Sequence, residues 1–220
     1  MTSVTDLTDL TVGVIGGTGP QGKGLALRWS AAGIRVGIGS RDADRAASVA
    51  AELEGDVTGA TNADVAAGSD LVVVTVPWAG HADTVKSLAP YVDGKIVVDC
   101  VNPLGFDKRG PYPLPVEEGS AAEQAQALLP EATVIAAFQH VSAVLLSDPE
   151  IASFELDVLV LGEDREAVGT VIGLVDVIPG MRGIYAGRLR NAGQVEALTA
   201  NLIAINRRYN AHAGIRITDV

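Results

Sequence analysis

The groups best suited to chemistry in this 220-residue chain are backbone amides. The apolar run Val12-Gly13-Val14-Ile15 leads into Gly16-Gly17-Thr18-Gly19-Pro20-Gln21-Gly22, which fits G-x-G-x-x-G with a strand-like segment before it and a helix-like segment after it. Glycines there let the chain turn tightly and approach a ligand closely. The free N–H groups and the positive end of the new helix then face an anion, and the pyrophosphate of a dinucleotide suits that geometry.

The end of the second strand distinguishes one dinucleotide from another. A carboxylate about 20 residues past the loop would bond a ribose 2′-hydroxyl. This chain has Gly39-Ser40-Arg41 there, with Arg45 one helical turn later. Ser40 can donate a hydrogen bond, and Arg41 and Arg45 can pair with a phosphate, so NADP is favoured over NAD. Asp42 falls one residue late and reads as a helix cap.

Other chemical groups are sparse. Tyr91-Val92-Asp93-Gly94-Lys95 has the Y-x-x-x-K spacing of short-chain dehydrogenases. That pair needs one helix face, whereas Pro90, Asp93 and Gly94 spell a turn, so the match is assigned to chance. His81, His140 and His212 lie far apart and Cys100 is the lone cysteine, so no metal site is expected and a disulfide scaffold is excluded. His81, at a helix start, reads as a surface residue, and Cys100 as a small buried hydrophobe. Asn102-Pro103-Leu104 leaves a strand where it could line a cleft. Arg182, Arg188 and Arg190 gather near the last strand, either to hold an anionic tail or as solvated charges.

The elements that must position these groups follow from the apolar pattern. Short continuous runs at Val12 to Ile15, Ile34 to Ile38, Leu71 to Val76, Ile96 to Val98 and Val134 to Ala137 suit strands covered on both faces. Helix-like segments at Gly22 to Ala32, Ala43 to Leu53, Ala79 to Leu88 and Ala121 to Leu129 alternate with them. That alternation predicts an α/β fold: a Rossmann-type, doubly wound, mainly parallel sheet. Leu104 to Gly119 reads as a long surface loop or lid. Further on, a strand at Asp157 to Leu161, a helix over Glu166 to Val175 and a strand near Ile184 are expected. A long C-terminal helix over Asn191 to Ala213 follows, striped with Val195, Leu198, Leu202, Ile205 and Tyr209. The division expected is a dinucleotide-binding domain at 11–187 and a small helical segment at 188–220 that packs on it or on a second subunit.

Composition bounds the partners. With 16 Lys and Arg against 27 Asp and Glu, the net charge is −11, which argues against nucleic acid and anionic membrane surfaces. Met1 to Leu10 lacks a signal-like pattern and no stretch approaches the roughly 20 apolar residues of a bilayer span, so a soluble cytoplasmic protein is expected. Aromatics are 4% of the chain, which leaves the core to aliphatic residues.

Taken together, Gly16 to Ala26, Gly39-Ser40-Arg41 and Thr75-Val76-Pro77-Trp78 resemble the NADPH-dependent coenzyme F420 reductases. The likeness continues through Ala137-Phe138-Gln139-His140-Val141-Ser142-Ala143, Leu161-Gly162-Glu163-Asp164, Tyr185-Ala186-Gly187 and Val195-Glu196-Ala197-Leu198-Thr199. The resemblance implies direct, metal-free hydride transfer between nicotinamide C4 of NADP(H) and C5 of the deazaflavin. It implies that Gly17, Thr18, Gly19, Pro20, Gln21 and Gly22 hold pyrophosphate, and that Ser40, Arg41 and Arg45 hold the 2′-phosphate. Val76, Pro77 and Trp78 would lie beside the nicotinamide, with Ala137 and Val141 nearby. His140 and Ser142 would approach both rings, Asn102, Pro103 and Leu104 would face them, and Arg188 would meet the deazaflavin tail. Some relatives carry histidine where this chain has Gln139. His140 relaying a proton to the deazaflavin stands beside a structural histidine as alternatives. A homodimer is expected. The competing readings are a related NADP-dependent reductase of a flavin, quinone or imine, and a non-catalytic NADP sensor.

Overall fold

The computed structural model describes residues 7–153 and 155–220. The stretch before Leu7, part of the segment read above for a signal, lies outside the described residues. β1 (Thr11–Ile15), α1 (Pro20–Ala31), β2 (Arg35–Ser40), α2 (Ala43–Ala50), β3 (Val57–Thr61) and α3 (Asn62–Gly68) form the first half of the chain's main layer. β4 (Leu71–Val74), α4 (His81–Leu88) and β5 (Ile96–Asp99) open the second half. β6 (Leu104–Asp107), β7 (Gly110–Pro113), α5 (Ala121–Leu128) and β8 (Thr133–Ala136) complete it.

Six strands pair in the order β3-β2-β1-β4-β5-β8, all parallel. The continuous apolar runs are explained by burial on both faces. In β4, Leu71 and Val73 join a core with Trp29 and Leu25, while Val72 and Val74 pack opposite with Val85 and Leu88. α6 (Ala143–Ser147), β9 (Leu156–Val160), α7 (Arg165–Asp176), β10 (Met181–Tyr185) and α8 (Ala192–Tyr209) follow. β9 and β10 make a separate parallel pair, joined to the main sheet by an antiparallel bridge between Ala136 and Leu161.

The structure alters the expectations in four places. Leu104 to Gly119 is not a plain loop: β6 and β7 pair antiparallel, closed by an Asx turn in which the Arg109 N–H donates to Asp107 at 2.7 Å and by Gly110 at φ 120°. Pro111 and Pro113 hid this hairpin, but prolines are tolerated on an edge strand. Second, β3, α3 and α6 carried no strong apolar signal; Val57–Thr61 is a half-buried edge strand built from Val, Thr, Gly and Ala. Third, the stripe on α8 is only partly a core face, since Val195 and Leu202 are buried while Ile205 and Tyr209 are exposed. Fourth, His81 is fully buried rather than on the surface, because Asp99 and Gln124 satisfy both of its ring nitrogens. Among the described residues no helix is long and apolar enough to cross a membrane.

Candidate functional site

The strand order reverses between β1 and β4. Chains leaving these two strands diverge to opposite sides, which opens a crevice at the carboxyl ends of the sheet. The sequence-derived residues distribute along that edge in strand order. Ser40 closes β2, the glycine loop follows β1, Val76-Pro77-Trp78 follows β4, Asn102-Pro103-Leu104 follows β5, and Ala137 to Ser142 follow β8. Lys95 lies at the opposite edge, its Nζ donating to the carbonyls of Ala66 and Ala67, so Tyr91 and Lys95 form no catalytic pair.

The loop is shaped for close approach. Gly16 turns at φ 72°, its N–H donating to the side chain of Asn62 on α3, and the Gly17 N–H donates to Gly39 O at 2.9 Å. A Cβ on Gly22 would sit 2.6 Å from Gly17 Cα and 2.6 Å from Thr75 Oγ1, so only glycine lets α1 press against the loop. α1 begins at Pro20 with Gly19 as its N-cap and no side-chain cap. α4, α6 and α8 also lack a side-chain cap, whereas α2, α3, α5 and α7 are capped by Asp42, Thr61, Ser120 and Asp164; α1 alone of the uncapped helices opens from the glycine loop after β1. The first-turn amides of α1 are thus left to an anion, which fits a pyrophosphate.

At the end of β2, Ser40 is buried and its Oγ accepts the Asp42 N–H at 3.2 Å. Asp42 is engaged as the cap of α2. Arg41 and Arg45 are exposed and form no ion pair among the described residues, which leaves two guanidinium groups able to meet a phosphate.

Beyond the switch point the residues are bound to one another. Gln21 Nε2 donates to Phe138 O at 3.2 Å, tying the first turn of α1 to the segment after β8. Phe138 adopts φ 66° with its ring fully buried edge-on to Trp29, a strained conformation that redirects the chain toward Gln139 and His140. Asn102 Nδ2 and Thr199 Oγ1 both donate to Gln139 O, so α8 closes this end of the crevice. Ala137 and Val141 are buried beneath it, and Ser142 leads into α6. His140 is also buried. Its Nε2 accepts the Leu159 N–H of β9 at 3.2 Å, while Nδ1 and the neighbouring Gln139 Oε1 have no partner among the described residues. Burial lowers the His140 pKa to about 4, against the pull of its backbone hydrogen bond and Asp157. The ring is therefore neutral near pH 7.

Of the three clustered arginines, Arg182 is committed to Asp157 and to the carbonyls of Ile217 and Val220. Arg188 stays exposed, 3.5 Å from Glu163. Sequence reasoning missed Asn62, Gln124 and Asp99, which enter through tertiary packing and carry no local motif; Glu196 and Thr199 lay in a segment of the resemblance without a role assigned to either. The Asp99 carboxylate is fully buried, accepting from His81 Nε2 at 2.6 Å and from the Val101 N–H at 2.9 Å.

This crevice on this sheet defines a Rossmann-type dinucleotide-binding protein. Residues 11–103 match the family model for NADP oxidoreductase coenzyme F420-dependent. The F420-dependent NADP reductase of Methanothermobacter thermautotrophicus is 40% identical over 226 residues, covering 96% of each chain. That of Methanocaldococcus jannaschii is 37% identical, covering 96% of this chain and 99% of its own. A crystal structure from Arthrobacter sp. FB24, described as a candidate F420-dependent NADP reductase, superposes with a TM-score of 0.81 at 29% identity, covering 95% of this chain and 99% of that one. The chain belongs to the F420-dependent NADP reductase family.

Proposed function

We propose that the protein is a cytoplasmic oxidoreductase that transfers a hydride between NADP(H) and the deazaflavin coenzyme F420. The observation that carries this reading is the order of groups along the carboxyl edge: cations after β2, uncapped amides after β1, an aromatic turn after β4 and a closed wall after β5 and β8. Adjacent strands lie about 4.8 Å apart. A dinucleotide with its 2′-phosphate at Ser40, Arg41 and Arg45 and its pyrophosphate over Gly17 to Gly22 then reaches Val76-Pro77-Trp78 with its nicotinamide. The deazaflavin would lie against that ring, flanked by Asn102, Pro103, Leu104, Ala137, Val141 and Ser142, with its tail toward Arg188.

With both coenzymes bound, the chemistry is transfer of a hydride from nicotinamide C4 to deazaflavin C5, a proton being taken up at the deazaflavin ring nitrogen. The protein's part is to hold the two rings in contact, orient them and exclude water. His140 does not relay the proton in this reading, since it is neutral near pH 7 and its Nε2 is occupied. Water supplies it. Residues 188–220 close the deazaflavin end through Thr199, and the exposed Ile205 and Tyr209, one turn apart, form part of a homodimer contact.

The test is to mix protein, NADPH and oxidised coenzyme F420 and follow the visible deazaflavin absorbance. It should fall with one NADPH consumed per deazaflavin; tight NADP binding with no absorbance loss would favour an NADP sensor instead.

A further inference from the structure

His81 stands where the crevice meets the buried interior. The short turn Trp78–Gly80 runs directly into α4, and only Ala79 and Gly80 lie between Trp78 and His81; indole and imidazole stack with centroids 5.4 Å apart and planes 29° apart. The imidazole is clamped from behind. Its Nε2–H donates to Asp99 Oδ2 at 2.6 Å, and its Nδ1 faces Gln124 Oε1 at 3.0 Å. The Gln124 amide is oriented by its own donation to Glu118, Nε2 to Oε2 at 3.1 Å, so the oxygen faces the ring. Both ring nitrogens thus meet acceptors, and only the doubly protonated imidazolium satisfies both bonds. Burial opposes that charge, but the bonds and charge of Asp99, the Gln124 bond and the charge of Glu196 outweigh it and raise the His81 pKa. A buried cation on the indole face adds attraction to the stack.

We propose that His81 is a positioning residue: clamped between Asp99 and Gln124, it sets the plane of Trp78 and so fixes the turn against which the nicotinamide rests. The hydride donor must sit within a few tenths of an ångström of its productive place, and a half-exposed indole on a turn has no other ring to hold it among the described residues. Nothing in this role needs His81 to touch either coenzyme. The proposal rests on the placement of Trp78 beside the nicotinamide.

The experiment compares wild type, His81→Gln and Trp78→Phe. Wild type minus Trp78→Phe isolates the Trp78 emission from that of Trp29, the only other tryptophan. Contact with a protonated imidazole quenches indole emission, so His81→Gln should brighten that component. It should also lower kcat for deazaflavin reduction ~10-fold while the KM for NADPH stays within about 2-fold. Brightening with an unchanged kcat, unchanged emission, or a loss carried by KM alone would each overturn the positioning role. Should His81→Gln fail to fold, Gln124→Met leaves the Asp99 bond in place and removes the Nδ1 partner, together with its exposed bond to Glu118, and a kcat loss of about 3-fold with brightened Trp78 emission is expected. An unchanged kcat there overturns the proposal equally. Oxidised NADP, whose nicotinium ring quenches indole on contact, tests the underlying placement separately. No quenching of Trp78 in wild type would sink that placement, whereas quenching with unaltered His81→Gln turnover would sink the positioning role alone.

Discussion

The carboxylate of Asp42 accepts the backbone N–H of Arg45 at 3.1 Å. That bond engages the acid nearest the end of β2 as the cap of helix α2, with Asp44 following in the first turn, and it holds Arg45 at that same turn. A ribose 2′-hydroxyl would therefore find the Asp42 carboxylate already engaged, while a 2′-phosphate would find two arginines. Arg41→Ala and Arg45→Ala should each raise the KM for NADPH about 10-fold and leave NADH turnover nearly unchanged. Asp42→Ala should cost about 1 kcal/mol of stability through the lost cap without altering the preference. Steady-state kinetics with both nucleotides checks this; equal efficiency with NADH and NADPH in wild type would refute the assignment.

The loop glycines make a second expectation. Gly22→Ala drives a methyl into Gly17 Cα and Thr75 Oγ1, two contacts at 2.6 Å, one of them with backbone, so α1 must lift from the loop. The cost should be about 1–3 kcal/mol, with NADPH affinity reduced at least tenfold. Gly68→Ala, at the end of α3, meets nothing within 4 Å and should be neutral or stabilising by up to about 1 kcal/mol. Urea unfolding and nucleotide titration of both variants separate packing from a general intolerance of alanine.

These contrasts mark how far the sequence could be read. The loop, Ser40, the two arginines and the strand runs were legible because each depends on local spacing or on burial of a whole strand. The hairpin at Leu104–Pro113 was not, since its prolines break alternation and its support is the contact of β7 with α8. His81 illustrates the same limit. Nothing in Trp78-Ala79-Gly80-His81 reveals that Asp99, 18 residues later, and Gln124, 43 residues later, converge on one ring. Buried polar clusters are assembled by topology, and a single sequence carries no periodicity for them.

Arg188 offers a test at the far end of the crevice. It is exposed and only loosely paired with Glu163, so the pair contributes little to folding. Arg188→Ala should leave the melting temperature and the KM for NADPH unchanged while raising the KM for the deazaflavin about 5-fold. Glu163→Gln, which removes the competing carboxylate, should lower that KM. An unchanged deazaflavin KM in Arg188→Ala would place the anionic tail elsewhere.

Buried groups make stability depend on pH with opposite signs, Glu196 and His140 most strongly. Glu196, from α8, accepts the Ala121 and Ala122 N–H groups at the start of α5; burial, only partly offset by those bonds, pushes its pKa up to about 7 from 4.5. The folded state then binds more protons than the unfolded one between those values, so this contribution is full below about pH 4.5 and is lost as pH rises through 7. His140, lowered from 6.5 to about 4, does the reverse: the unfolded chain binds the proton, and stability rises with pH across that interval. Each slope approaches about 1.4 kcal/mol per pH unit where it acts alone. Between roughly pH 4.5 and 6.5 they oppose each other, and above that Glu196 is joined by His81, whose pKa is, despite burial, raised by Asp99 and Gln124 and whose contribution is likewise lost as pH rises, so wild-type stability should be nearly flat and then fall toward pH 7.5. Asp157, held near 2 mainly by its Arg182 hydrogen bonds, adds a loss only below about pH 4. Glu196→Gln should convert the flat interval into a rise with pH and reduce the fall near neutrality to the share that His81 carries. His140→Gln should steepen the decline. Chemical denaturation from pH 4 to 8 measures all three proteins, and a Glu196→Gln profile parallel to wild type would show that the carboxyl does not titrate in that range.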